Sequence, residues 1–172
     1  MKYIKAYKIF EDVKDNTELV KQLDKYHIKN YTINNDGTID VDGDVSLSYR
    51  KFTSIPFKFG KVTGHFDCST NQLISLVGSP KEVGGDYHCS INKIENLIGG
   101  PEDVGGGYYC QNSNLVSLEG CAGDIGGYLY CVNNCLDMLD CSSVINGSIY
   151  CTGNGFKEEP EFFGICNKIY WK

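Results

Sequence analysis

The chain is expected to fold as a mainly β repeat solenoid, in which about six coils of 21 residues each add one strand to a single parallel sheet. Three observations carry that expectation. Cys68, Cys89, Cys110 and Cys131 are each 21 residues apart, and Cys151 follows after 20. Apolar and glycine residues keep fixed distances before each cysteine: Val62, Val83, Val104, Ile125 and Ile145 at six, and Gly64, Gly85, Gly106, Gly127 and Gly147 at four. With Phe66, Tyr87, Tyr108, Leu129 and Ile149 at two, they alternate as a short strand does.

Before the repeat stand residues 1–40, read as a helical cap, since a stack of coils must cover its exposed apolar end. Asp15-x-x-Glu18 resembles a capping box, and Leu19, Val20, Leu23 and Tyr26 place one apolar face on a helix over 16–28. Tyr3, Ala6, Tyr7, Phe10 and Val13 also have helical spacing, although a strand suits a segment this short. Lys2, Lys5 and Lys8 beside aromatics would fit a membrane-surface helix, but two turns anchor weakly, and the cap needs the apolar face.

The solenoid is expected over residues 41–163. A degenerate first coil shows Val41, Gly43, Val45 and Leu47, with Arg50, Phe52 and Ile55 after them. In later coils Asn71, Asn92, Ser113, Asn134 and Asn154 follow the cysteine by three, then Leu73, Ile94, Leu115, Leu136 and Phe156 by five. Leu76, Leu97, Leu118 and Leu139 complete the set at eight. Cysteine here is a small core hydrophobe. The asparagines read as a ladder that turns the chain after its strand and bonds backbone groups of the next coil. The Val83-Gly84-Gly85 type of pair has no Lys-Ser or Lys-Thr after it, so it marks tight turns and no phosphate loop. Residues 164–172, with Phe162 and Phe163 just before them, are read as a C-terminal aromatic cap: Ile165, Ile169, Tyr170 and Trp171 should help to close the core.

The columns resemble the leucine-rich repeat, whose Leu-x-x-Leu-x-Leu-x-x-Asn-x-Leu-x-x-Leu pattern is matched by Tyr87, Cys89, Asn92, Ile94 and Leu97. The short period, Pro80 and Pro101 are similar to the short bacterial class, and Val-Gly-Gly with Cys is similar to repeat proteins of bacteriophages. The pattern departs at Gly84 and Ser113. The resemblance implies a right-handed coil with a curved sheet whose open face binds protein, for instance a phage product that occupies a host factor.

A net charge of -6 argues against phosphate-backbone binding, which needs clustered positive charge. The start of the chain lacks an uninterrupted apolar core, and no run of about 18 apolar residues occurs, so a cytoplasmic protein without membrane contact is expected. Nine cysteines without a Cys-x-x-Cys pair point to free thiols. Thiols of the column run parallel, so no disulfide is expected there, and Cys121, Cys135 and Cys141 lie outside it.

Residues between the inward columns face outward on the sheet. One before each cysteine stand Asp67, His88, Tyr109, Tyr130 and Tyr150, and three before stand His65, Asp86, Gly107, Tyr128 and Ser148. Tyr109, Tyr128, Tyr130 and Tyr150 form the candidate partner-binding strip, with the ladder ending before His88 and Asp67. His65, Asp67, Asp86 and His88 make a crossed patch beside it and are counted with the strip as candidate partner-binding residues. Two imidazoles and two carboxylates could hold a divalent metal or support a weak metal-dependent hydrolase, the alternative to a non-enzymatic protein-binding module. No cofactor, resident metal or nucleic acid is expected, and the oligomeric state is not legible.

Overall fold

The computed structural model describes residues 17–172, so the expected segment at 3–13 and Asp15 lie outside the described residues. It is a mainly β solenoid of about six turns with one short helix near its start. Strands appear at each expected place: Val45–Ser46, Phe66–Asp67, Tyr87–His88, Tyr108–Tyr109, Leu129–Tyr130 and Ile149–Tyr150, all paired in parallel.

The single expected sheet is corrected to two. The branched aliphatic column sits in strands of its own, among them Glu82–Val83, Asp103–Val104 and Asp124–Ile125, and these build a second seven-stranded sheet beside the first. What divides each long alternating run is its glycine pair, which forms the corner between the sheets. Those glycines are not left-handed turn residues, since none has a positive φ. They are needed because consecutive coils approach too closely at the corner for a side chain. A Cβ on Gly105 would run into the Gly84 carbonyl oxygen, and one on Gly126 into that of Gly105. The left-handed corners lie elsewhere, at Thr70, Ile91, Asn112 and Asn133, two residues after each column cysteine.

The inward columns make one continuous core. Val62, Phe66, Tyr87, Cys89, Ile94, Leu97, Tyr108, Leu115, Leu118, Leu129 and Ile149 are all fully buried. Phe66 stacks on Tyr87 at 5.7 Å, and Tyr87 meets Tyr108 edge-on at 4.9 Å. All nine cysteines are free, and the column from Cys68 to Cys151 is buried. Burial pushes the Cys68 thiol up to about 12.

The asparagine ladder is present, with its direction corrected. Asn92 Oδ1 accepts the Leu73 N–H at 2.9 Å, while Nδ2 donates to the Cys68 and Cys89 carbonyls at 3.2 and 2.9 Å. Each amide thus ties its own turn to the preceding coil, and Asn71, Asn134 and Asn154 repeat the arrangement. An amide is required there because buried carbonyls and N–H groups on two coils must be satisfied at once.

The helix covers residues 17–25. Leu23 is fully buried, and Leu19 and Tyr26 pack against the core. It ends at His27 in the left-handed conformation, with Ile28 N–H donating to Leu23 C=O and His27 N–H to Asp24 C=O, the two bonds of a Schellman cap. Tyr31–Ile33 then pairs antiparallel with Ile39–Val41, and the latter pairs in parallel with Phe59–Val62, so strand pairing crosses residue 40 without a break.

At the other end Ile169–Tyr170 adds a seventh strand to the sheet of the cysteine column, pairing with Ile149–Tyr150. This segment extends the solenoid as well as covering it. Phe163 and Ile165, expected to close the core, are instead 80% and 66% exposed.

Candidate functional site

Parallel pairing in strict register places residues of one column directly above one another, about 4.8 Å apart. Planar side chains at that repeat have nowhere to turn except onto each other. The column one before the cysteines therefore becomes a stack of parallel rings: His88 on Tyr109 at 4.4 Å, Tyr109 on Tyr130 at 5.0 Å, Tyr130 on Tyr150 at 4.5 Å and Tyr150 on Tyr170 at 4.7 Å. Interplanar angles are only 5–8°. Tyr128, three before its cysteine and 45% exposed, leans edge-on against Tyr130 and Tyr150 at 6.1 and 5.9 Å.

Two features of this wall differ from the sequence expectation. The ladder does not end before His88, whose imidazole is its first ring. It also runs one rung further, to Tyr170, where the sequence reading saw only a cap. The signal was available: a second 20-residue step after Cys151 puts Trp171 at the cysteine place and Tyr170 in line with Tyr150.

Each inner ring has given both faces to its neighbours, which is why Tyr109, Tyr130 and Tyr150 are half-buried. Only edges and hydroxyls look outward. Burial raises the Tyr109 hydroxyl above the usual phenol range, with Asp86 and Tyr128 adding to it. Tyr150 is raised as well, first by desolvation and then by Tyr130 and Tyr170. Both shifts hold the Tyr109 and Tyr150 phenols in their neutral form at physiological pH. No flat ligand fits between rings spaced 4.4–5.0 Å apart.

Comparison with protein-family models, with curated proteins and with solved structures finds no match to this chain. Among the described residues no helix is long and apolar enough to cross a membrane.

The crossed His and Asp patch does not converge on a point. His88 belongs to the stack, and Asp67 Oδ1 accepts the Ser69 N–H at 2.9 Å, closing its own turn. His65 Nδ1 accepts the Asp86 backbone N–H at 2.9 Å. That nitrogen is thus an acceptor, so its 3.4 Å contact with the Asp86 carboxylate is not an ion pair in this arrangement. Asp44 Oδ1 likewise accepts the His65 N–H at 2.8 Å, and Asp86 Oδ1 the Gly107 N–H at 2.7 Å. The column three before the cysteines is therefore a side-chain-to-backbone ladder that pins successive corners, and it stops at Gly107 for want of a side chain. Among the described residues no group of three or more His, Cys, Asp or Glu is placed to hold a metal.

Proposed function

We propose that the protein is a non-enzymatic, cytoplasmic binding module that captures a protein on the open face carrying Tyr109, Tyr128, Tyr130 and Tyr150, in the manner of leucine-rich-repeat-like solenoids. The observation that carries this reading is the stack itself, in which five aromatic rings held parallel offer edges and hydroxyls outward. Rigid amphipathic rings lose little conformational entropy on binding, which is why tyrosine recurs at the centre of protein interfaces. Sugars and bases need exposed ring faces, and here the inner faces are occupied. Net charge -6 further disfavours nucleic acid. Nine free thiols suit a reducing compartment. A phage-encoded inhibitor of a host factor would use the same face, and the identity of the captured protein and the gene neighbourhood separate it from a cellular adaptor.

Capture from the natural host tests the reading. Wild-type protein should retain a defined protein that is lost with Tyr128→Ser and weakened when Tyr109, Tyr130 and Tyr150 are all changed to Phe, which keeps the rings and removes the hydroxyls. Equal retention by all three proteins would sink the assignment.

A further inference from the structure

Two cysteines outside the buried column meet at the edge of the solenoid. Cys121 and Cys141 hold equivalent positions in consecutive coils, 20 residues apart. The coils are locked together beside them, since the Ser143 hydroxyl donates to the Ala122 carbonyl at 2.6 Å and the Val144 N–H to the Gly123 carbonyl at 2.7 Å. Neighbouring coils put Cα atoms at about 4.8 Å, inside the range a disulfide spans. Neither cysteine lies in a strand, so neither side chain is held to the parallel geometry of the column. Both are half-buried and line an open cavity of about 240 Å³ with Glu119, Asp140 and Ser142.

The two thiols face the same cavity and act on each other electrostatically. The neighbouring Cys121, helped by the N–H of Ser143, brings the Cys141 thiol down to about 7 against the opposing effect of burial. The same neighbourhood, with burial, drives Cys121 up. Cys131 and Cys151 are neighbours in the cysteine column, but both are buried, so a solute has no access to them. An accessible thiolate beside a resolving thiol is the arrangement that reacts with oxidants.

We propose that Cys121 and Cys141 form a redox-sensitive dithiol that hydroperoxides convert into an inter-coil disulfide. The Cys141 thiolate attacks the peroxide O–O bond, forming an S–O bond and releasing the other oxygen as alcohol or water once protonated. Cys121 sulfur then attacks Sγ of the sulfenic acid. The S–S bond forms, the S–O bond breaks, and hydroxide leaves with the Cys121 proton as water. The sulfur pair loses two electrons and the peroxide gains them.

Treating the reduced, full-length protein with about one equivalent of hydrogen peroxide tests this. Two of the nine thiols should disappear on titration in denaturant, and peptide mapping should show Cys121 joined to Cys141. Cys121→Ser should leave a sulfenic acid on Cys141 that dimedone traps. In the unmodified chain, alkylation of Cys141 by iodoacetamide should rise through a lower pH than that of a free cysteine thiol. Retention of all nine thiols, or loss of thiols with no Cys121–Cys141 link in the peptide map, would overturn the proposal, and neither readout depends on a variant that folds.

Discussion

Tyr87 and Tyr108 occupy one place in consecutive coils, yet only the first has a hydroxyl partner. The Tyr87 and Ser79 hydroxyls are hydrogen-bonded at 2.7 Å, whereas the coil after it has Gly100 where Ser79 stands. Tyr108 Oη is thus buried without an oxygen or nitrogen partner, and the Cys89 thiol, a weak donor, is its near polar neighbour. Tyr108→Phe should be neutral or stabilising, while Tyr87→Phe, which strands the buried Ser79 hydroxyl, should cost about 1–3 kcal/mol. Denaturant titrations of the two variants check the contrast. Buried thiols make a second prediction. Cys68 is raised to about 12 by burial, so its folded form holds a proton that the unfolded chain has already released. That contribution is complete below the ordinary thiol pKa and lost as pH climbs toward 12, up to roughly 4 kcal/mol for this group alone. Tyr87 and Tyr108, also driven up by burial, act in the same direction above about 10. The depressed Cys141 works oppositely, adding stability as pH rises from about 7 to the ordinary thiol value. Stability should therefore fall above about pH 9, and Cys68→Ala should flatten that fall when unfolding is followed across pH.

At the scale of the element, the asparagine ladder explains one weak coil. Ser113 replaces asparagine and takes only the Asn92 N–H, at 3.3 Å, where an amide would also reach the Cys89 and Cys110 carbonyls. Ser113→Asn should raise stability by about 1–2 kcal/mol, measured by the denaturation midpoint at constant slope. The strands carrying Tyr87, Tyr108 and Tyr130 were legible in the sequence because apolar alternation and the cysteine spacing reinforce each other. Their division into two sheets was not, since Val83-Gly84-Gly85-Asp86-Tyr87 alternates whether it runs straight or bends. What bends it is the approach of Gly84 to the backbone of the coil before, a contact between coils that no single repeat expresses. The outward tyrosines were legible for the same reason as the inward residues. Tyr170 was hidden because Trp171 stands at the cysteine place of its coil, and the His65 and Asp86 ladder because its bonds run from side chain to backbone.

For the whole molecule, one ring stack has two consequences. Each stacked pair contributes about 0.5–1.5 kcal/mol beyond its burial, so changing Tyr109, Tyr130 and Tyr150 together to serine breaks all four contacts and should cost the solenoid about 2–6 kcal/mol. Tyr128, which lies beside the stack, is therefore the better probe of binding. The same rigidity makes the face a preformed surface, while exposed aliphatics such as Ile74 lie outside the strands of both sheets. Site-specific photocrosslinking tests the central claim most directly. A photoreactive phenylalanine at position 128 should form a covalent adduct with the captured protein, and the same group at position 74, 71% exposed on another side of the coil, should not. Adducts from position 74 with none from position 128 would contradict the claim that the aromatic wall is the binding face.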